Sequence, residues 1–545
     1  MPADRRPRRP SLSDRLSLKL LNTRVFGHRI AELNADVRRR TVPNHWTTLV
    51  GVVTMACVLV VTVTGLILMF FYTPSSDSTR YSGTYAALHG AEVSKAFASM
   101  MRITFEVPGG LLLRQLHHWS ALMLPAAVLL QLIVAFFTGA FRRPRRGMWL
   151  LLFGIYVVSL AGGWSGYALP DDMLSGTGLR ITEGIILSIP LIGTWLTYLF
   201  FGGSFPGAVI ENLYPLHVVV VPATLFVFLI LRGLAGWRHK PAQFPGRDRT
   251  DETIVGSPLV PVVATRAAGL FFLTAGVLVL VSATVTVNPI WLYGPASPGD
   301  ASAGSQPDWY TGFLDGALRL VPPGWELQLF DRTWTLALLV PLAVVTVYLL
   351  AMAAYPFVEE WITGDRRDHH LLDRPRNTSI RTSIGIAAMV FYAVLWVAAS
   401  ADLIATHFSI ALEQIIGVLQ VSLVLGPMIG FSLTRRICLA LQRKDSEVLV
   451  HGFETGRVVR LPGGEYVEVH RKVGDSEHAR LARADDYRPL ELRPNERGQL
   501  PLSHRLRAAL SQLFFEDRIQ PAVLAHEAPG KSQDGPVTTD ERVLS

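Results

Sequence analysis

His117 and His217 are the residues best suited to chemistry in this sequence. Each lies inside a long apolar run, and a neutral imidazole nitrogen is a good axial ligand for haem iron. One histidine inside an apolar helix is as readily explained by packing or hydrogen bonding. Two at matching depth on two helices point to a group held between them. Gly65 and Gly166 fit that reading, because a flat macrocycle wedged between helices needs close backbone approach. Asp308 and Tyr310, in Pro307-Asp308-Trp309-Tyr310, bring a carboxylate able to take up a proton and a phenol beside it. In any loop, Pro-Asp by itself is turn chemistry.

The elements that must position these residues are membrane spans. Half of the 545 residues are apolar. Runs at roughly 47–71, 115–137, 149–168, 213–236, 267–290, 334–355, 384–405 and 410–433 each approach the length that crosses the hydrocarbon core as helix. With eight spans and the N-terminus inside, four basic stretches face the cytoplasm: Arg142 to Arg146, Trp237 to Arg249, Thr363 to Arg381, and the tail from Arg435. A ninth apolar run, Ile181 to Phe201, would reverse that order if it crossed. It is expected as an interfacial helical pair broken near Pro190 and Gly193. The connections 72–112, 169–212 and 291–333 then lie outside, on the side of the two histidines.

This organisation predicts an all-α membrane protein with a basic cytoplasmic N-terminal tail over 1–45, a ligand-holding half over 46–236 with the interfacial pair at 181–201, and a cytoplasmic loop over 237–266. A second four-helix half comes next over 267–433 with the external loop 291–333, then a cytoplasmic tail over 434–545. The tail carries a hairpin signal at Val458 to Gly464 followed by Tyr466 to Val469, and reads as disordered from about Glu527. The first 45 residues lack the apolar core of a signal peptide. A formal charge of +8 is explained by loops flanking the spans, so nucleic acid is not an expected partner. Cys57 and Cys438 suggest no disulfide, and no Cys-x-x-Cys-His occurs, so haem would be held without covalent attachment.

Several longer motifs carry a resemblance. Arg114-x-x-His117-His118-Trp119, Phe137-Thr138-Gly139-Ala140-Phe141-Arg142, Gly166-Tyr167-Ala168-Leu169-Pro170-Asp171-Asp172 and Ser175-Gly176-Thr177-Gly178 are among them. So are Asn288-Pro289-Ile290-Trp291, Gln306-Pro307-Asp308-Trp309-Tyr310 and Asp373-Arg374-Pro375-Arg376. Together they run from about residue 45 to 470, and the chain resembles the cytochrome b subunit of actinobacterial menaquinol:cytochrome c reductases. The resemblance implies an eight-transmembrane-helix cytochrome b-type bundle in the bacterial plasma membrane, with both termini cytoplasmic. It implies His117 and His217 as axial ligands of an outer haem b, Arg114 toward a haem propionate, and Gly65 and Gly166 flanking the ring. Asp308 and Tyr310 would form an external menaquinol-oxidation site. The implied partners are a Rieske iron–sulfur subunit, a cytochrome c subunit, a terminal oxidase, membrane lipid and a second copy in a dimer.

The family carries a second histidine 14 residues after the first in one helix and 15 after the first in the other, about 21–22 Å deeper. Those positions are Gln131 and Arg232 here. A glutamine amide lacks an imidazole lone pair, and a guanidinium has no acceptor. Leu152 stands where a ring-facing glycine is expected, while Gly51 is retained. One haem b is therefore expected where the family has two, and the chain reads as a divergent paralogue. His118, rotated about 100° from His117, is expected to pack or hydrogen-bond. Two competing readings stay open: a haem-binding scaffold or assembly partner without full quinol turnover, and a transporter gated at Arg232.

Overall fold

The structure is a computed structural model that describes residues 36–297, 299, 306–481, 489–491 and 501–516. Most of the N-terminal tail and the stretch from Glu527 lie outside the described residues. In chain order the principal helices begin with α1 (Val50–Leu68), α2 (Lys95–Phe105), α3 (Gly110–Phe137), α4 (Arg146–Ala168), α5 (Met173–Ser188), α6 (Gly193–Phe201) and α7 (Val209–Arg238). They continue with α8 (Ala264–Thr284), α9 (Gly312–Arg319), α10 (Leu336–Thr363), α11 (Ser379–Ala398), α12 (Ala401–Phe408), α13 (Leu412–His451) and α14 (Leu502–Glu516). Among the described residues, eight helices are long and apolar enough to cross a membrane. They are α1, α3, α4, α7, α8, α10, α11 and α13.

Their surfaces are those of a protein in lipid. Val347, Leu350, Val421 and Leu425 are largely exposed, which a water-facing helix would not tolerate in such density. We refer to the end of the bundle nearest His117 and His217 as the outer end and to the opposite end as the inner end. The interior of the first half is a packed apolar layer below those histidines, with Cys57 and Val58 from α1, Leu124, Val128 and Leu132 from α3, Leu152, Ile155 and Tyr156 from α4, and Leu225 from α7. A second core joins α9, α11 and α13 through Phe313, Ala317, Leu395, Ala398 and Leu419.

The run Ile181 to Phe201 does not form one span. α5 starts at an Asp172 capping box with Ser175, and ends before Pro190; α6 comes next, from Gly193. Leu179, Phe201, Ile210 and Leu213 pack these short helices over the outer end of α4 and α7. Two spans differ most instructively from the hydropathy reading. The run 384–405 is broken between α11 and α12, where Asp402 accepts from Arg319 and Gln306 at 2.9 and 3.0 Å. The run ending at 433 continues as helix to His451, about 60 Å in all. Its inner extension is held by Asp445, which pairs with Arg374 and Arg376 at 3.2 and 3.0 Å.

The sheets are small and antiparallel. β1 (Ser78–Arg80) pairs with β2 (Glu92–Ser94), β3 (Glu326–Leu329) with β4 (Arg332–Thr335), and β5 (Phe453–Arg460) with β6 (Tyr466–Arg471). The last is the tail hairpin, in register from Arg460 opposite Tyr466 to Phe453 opposite Arg471, with a bulge between Glu454 and Arg457. The two halves of the chain are joined at the inner end by a buried ion cluster. Arg381, 1% exposed, bonds Glu359 at 2.5 and 2.8 Å and Asp373 at 2.6 Å, and Asp373 also pairs with Arg142 at 3.0 Å. Each charge there has an opposite partner, as burial in low dielectric requires.

Candidate functional site

Pro215 has no backbone N–H to continue a regular helix, and α7 takes a wide π turn over Leu216–Val220 at this point. His217 sits in that turn and faces His117 of α3, their ring centroids 6.2 Å apart and their planes at 72°. Each ring lies against a glycine of its neighbouring helix. A Cβ at Gly65 would come within 2.9 Å of His117 Cε1, and one at Gly166 within 2.6 Å of His217 Cε1. The glycines therefore admit the imidazoles themselves to the helix surface.

The residues just before those glycines fix the rings. Thr64 Oγ1 lies 3.1 Å from His117 Nδ1 and donates its proton to the Val60 carbonyl at 2.7 Å. Ser165 Oγ lies 3.1 Å from His217 Nδ1 and donates to the Ala161 carbonyl at 2.8 Å. With its one proton committed to the backbone, each hydroxyl accepts from Nδ1–H, which leaves the lone pair on Nε2 in both rings. Sequence reasoning missed Thr64 and Ser165. Their signal is two hydroxyl-glycine dipeptides, Thr64-Gly65 and Ser165-Gly166.

These residues fit a haem. Two imidazoles on one metal, with bonds of about 2 Å each, place their ring centres about 6 Å apart, the separation found here. Arg114, 5% exposed, donates Nη1 to the Asn288 carbonyl at 3.1 Å, while its Nε and Nη2 have no partner among the described residues. Two buried guanidinium donors without an acceptor suit an anionic group such as a propionate. The same end of α3 is stitched to the strand-like segment after α8. Gln115 exchanges hydrogen bonds with the backbone of Val287 at 2.8 and 2.9 Å, and Trp119 donates to the Val285 carbonyl at 2.8 Å.

Asp308 and Tyr310 are brought to this end. Tyr310, 1% exposed, donates its hydroxyl to Asp308 Oδ2 at 2.8 Å, and burial followed by the Asp308 charge holds its phenol well above the usual range, so it stays a donor. Its ring rests on Gly163, one turn from the Gly166 that faces His217. The other oxygen of Asp308 lies 3.3 Å from His118 Nε2.

At the inner level the same helices meet differently. Gln131, 8% exposed, donates to Thr54 Oγ1 at 2.6 Å and accepts from Arg232 Nη2 at 2.8 Å. Phe228 of α7 presses on Gly154 of α4, where a Cβ would meet the ring at 2.7 Å, and Leu152 is part of the apolar core. These residues do not fit a second haem. Neither Gln131 nor Arg232 offers an imidazole lone pair, and they are bonded directly to each other.

Against known proteins, the family model described as cytochrome b(N-terminal)/b6/petB matches residues 122–295. The cytochrome bc1 complex cytochrome b subunit of Streptomyces coelicolor is 41% identical over 488 residues, covering 88% of this chain and 89% of that protein. The chain belongs to this cytochrome b family. The corresponding Mycobacterium tuberculosis subunit is 42% identical over 446 residues, covering 81% of each chain. A chain of a hyperthermophilic respiratory complex III shares the fold with a TM-score of 0.55 at 18% identity, covering 76% of this chain and all of that one. As a cytochrome b, the protein is an integral membrane, haem b-binding subunit of a bc1-type respiratory electron-transfer complex, which removes the transporter reading.

Proposed function

We propose that this cytochrome b holds a single haem b between His117 and His217 and forms the menaquinol-oxidation site of a quinol:cytochrome c oxidoreductase complex around Asp308 and Tyr310. The observation that carries the reading is the pairing of the 6.2 Å histidine couple with an Asp308 carboxylate bonded to the residue next to His117. Haem, when bound there, takes up and passes on single electrons. Arg114 would neutralise a propionate and fix its orientation. Asp308 accepts a proton from the quinol hydroxyl, and the Tyr310 hydroxyl, bonded to Oδ2, keeps that carboxylate aimed until it does.

On this reading residues 46–236 form the haem-holding half and 267–433 the half that presents the external loop, with both termini and the 434–545 tail in the cytoplasm and the bundle in a bacterial plasma membrane. A Rieske iron–sulfur subunit and a cytochrome c subunit receive electrons at the outer face, and the complex is a dimer. The inner positions, bridged by Gln131 and Arg232, supply no relay, so electrons delivered to the outer haem have no route through this chain to an inner quinone.

The test is haem b per polypeptide in the detergent-purified protein, by pyridine haemochrome absorbance against amino-acid analysis. One haem, lost in His117→Ala and in His217→Ala, is expected; two would overturn the single-haem reading. One haem without quinol oxidation by the intact complex would move the chain to the scaffold alternative.

A further inference from the structure

His118 has no part in the family's ligand set, yet it makes the contact that joins α3 to the Asp308 carboxylate. A carboxylate only accepts, so His118 donates from Nε2 to Asp308 Oδ1 across 3.3 Å, while the Tyr310 hydroxyl occupies Oδ2 at 2.8 Å. Both side chains are mostly buried, 17% exposed for His118 and 10% for Asp308. One turn further along α3, the Leu122 carbonyl accepts from Trp309 Nε1 at 3.2 Å, and from α11 Trp396 Nε1 donates to the Trp309 carbonyl at 3.1 Å. The backbone of the loop is thus held by two tryptophans, and the carboxylate itself by His118 and Tyr310.

We infer that His118 is a positioning residue for quinol oxidation, clamping Asp308 as a fixed rather than a swinging acceptor. An aspartate has one methylene fewer than a glutamate and so a short reach. With a donor on each oxygen, its position is set by α3 on one side and by its own loop on the other. Because His118 follows His117 directly, the helix segment that carries the haem ligand also carries the clamp. A displacement of α3 moves both, which keeps the proton acceptor and the electron acceptor in register. Reaction rates fall steeply when such groups are misplaced by about 1 Å, on the order of a hundredfold.

The inference rests on the quinol-site reading, and the experiment separates the two. In the intact complex, with reduced 2,3-dimethyl-1,4-naphthoquinone as donor and ferric cytochrome c as acceptor, His118→Ala is expected to lower kcat about ten- to a hundredfold with KM changed less than about threefold. Haem content and the reduced α-band stay as in the wild type. His118→Gln, which keeps an N–H donor, recovers most of the rate. His118→Ala combined with Asp308→Ala falls no lower than Asp308→Ala alone, since the clamp acts only through the carboxylate. An unchanged kcat in His118→Ala, effects that multiply in the double variant, or haem loss in both His118 variants would each overturn the clamp. Full turnover in Asp308→Ala would remove the quinol site and the inference with it.

Discussion

The outer and inner levels of one four-helix bundle present the same scaffold with opposite contents. Outside, α3 and α7 each offer an imidazole seated on a glycine and oriented by a hydroxyl of the neighbouring helix, Thr64 on α1 and Ser165 on α4. Inside, α3 and α7 offer Gln131 and Arg232, α1 still offers a hydroxyl in Thr54, and the amide and guanidinium bond each other at 2.8 Å. The outer pair leaves two lone pairs directed between the helices; the inner pair uses its donors and acceptors on itself. The same four helices thus present imidazoles with free lone pairs at one level and side chains that satisfy each other at the next, with no change in the fold around them.

The strongest way to break that comparison is to restore the inner level. Gln131→His with Arg232→His provides imidazoles at the two spacings, and Leu152→Gly adds the missing ring-facing glycine opposite the retained Gly51. The expected outcome is a rise from one haem b per polypeptide to two, read by pyridine haemochrome, with a second reduction step in a redox titration. The two histidines without Leu152→Gly should fall short, because the side chain that fills the core at that level remains. A triple variant that still binds one haem would show that Phe228 on Gly154 and the surrounding core exclude a second ring by themselves.

A smaller effect tests whether Gln131 and Arg232 act as a unit. Gln131→Leu removes the acceptor that Arg232 has among the described residues, where its Nε is already unpaired, while leaving its charge in place. The expected cost is about 3 kcal/mol, seen as a lowered midpoint of thermal unfolding in detergent. Replacing both by leucine should recover most of it, because an apolar pair in an apolar core needs no partner. Equal losses in the single and double variants would mean that Arg232 reaches water at the inner end, and that the pairing contributes little.

Much of this arrangement was legible in the sequence, and what was not has identifiable causes. Hydropathy and positive-charge placement located the eight spans, and the depth of His117 and His217 singled out two rings that the structure brings face to face, because both are properties of single segments. The break of α5 from α6 near Pro190 followed from local residue chemistry. The link from His118 to Asp308 joins residues 190 positions apart and depends on how the external loop folds back over α3. The hydroxyls of Thr64 and Ser165 were missed for a related reason: the dipeptides that carry them are local, but their partners lie on other helices, 53 and 52 positions away. The extension of α13 past residue 433 escaped because hydropathy reports membrane contact and not helix; beyond that point Asp445 holds the helix through arginines.

The outer level also differs in holding a buried carboxyl, Asp172, whose titration can be measured. Burial, at 3% exposure, pushes its carboxyl up to about 6, against the opposing pull of the Ser175 hydroxyl and nearby backbone N–H groups, among them that of Leu174. A carboxyl whose folded value lies above its unfolded one near 4 keeps its proton longer in the folded state. It therefore lowers stability as pH rises from about 4 to 6, after which the loss is complete. Two units correspond to about 3 kcal/mol, and about 2 kcal/mol is a fair expectation once structural relaxation is allowed for. Asp172→Asn keeps a good N-cap for α5 and has no proton to lose. The thermal midpoint of the wild type relative to Asp172→Asn should thus fall between pH 4 and 6 and stay level from 6 to 8. The difference between Gln131→Leu and the wild type should stay flat over the whole range, since the amide that is replaced has no titratable proton. A flat Asp172 difference would mean that the outer cap admits water to this carboxylate, and that the contrast between the two levels lies in ligand chemistry alone.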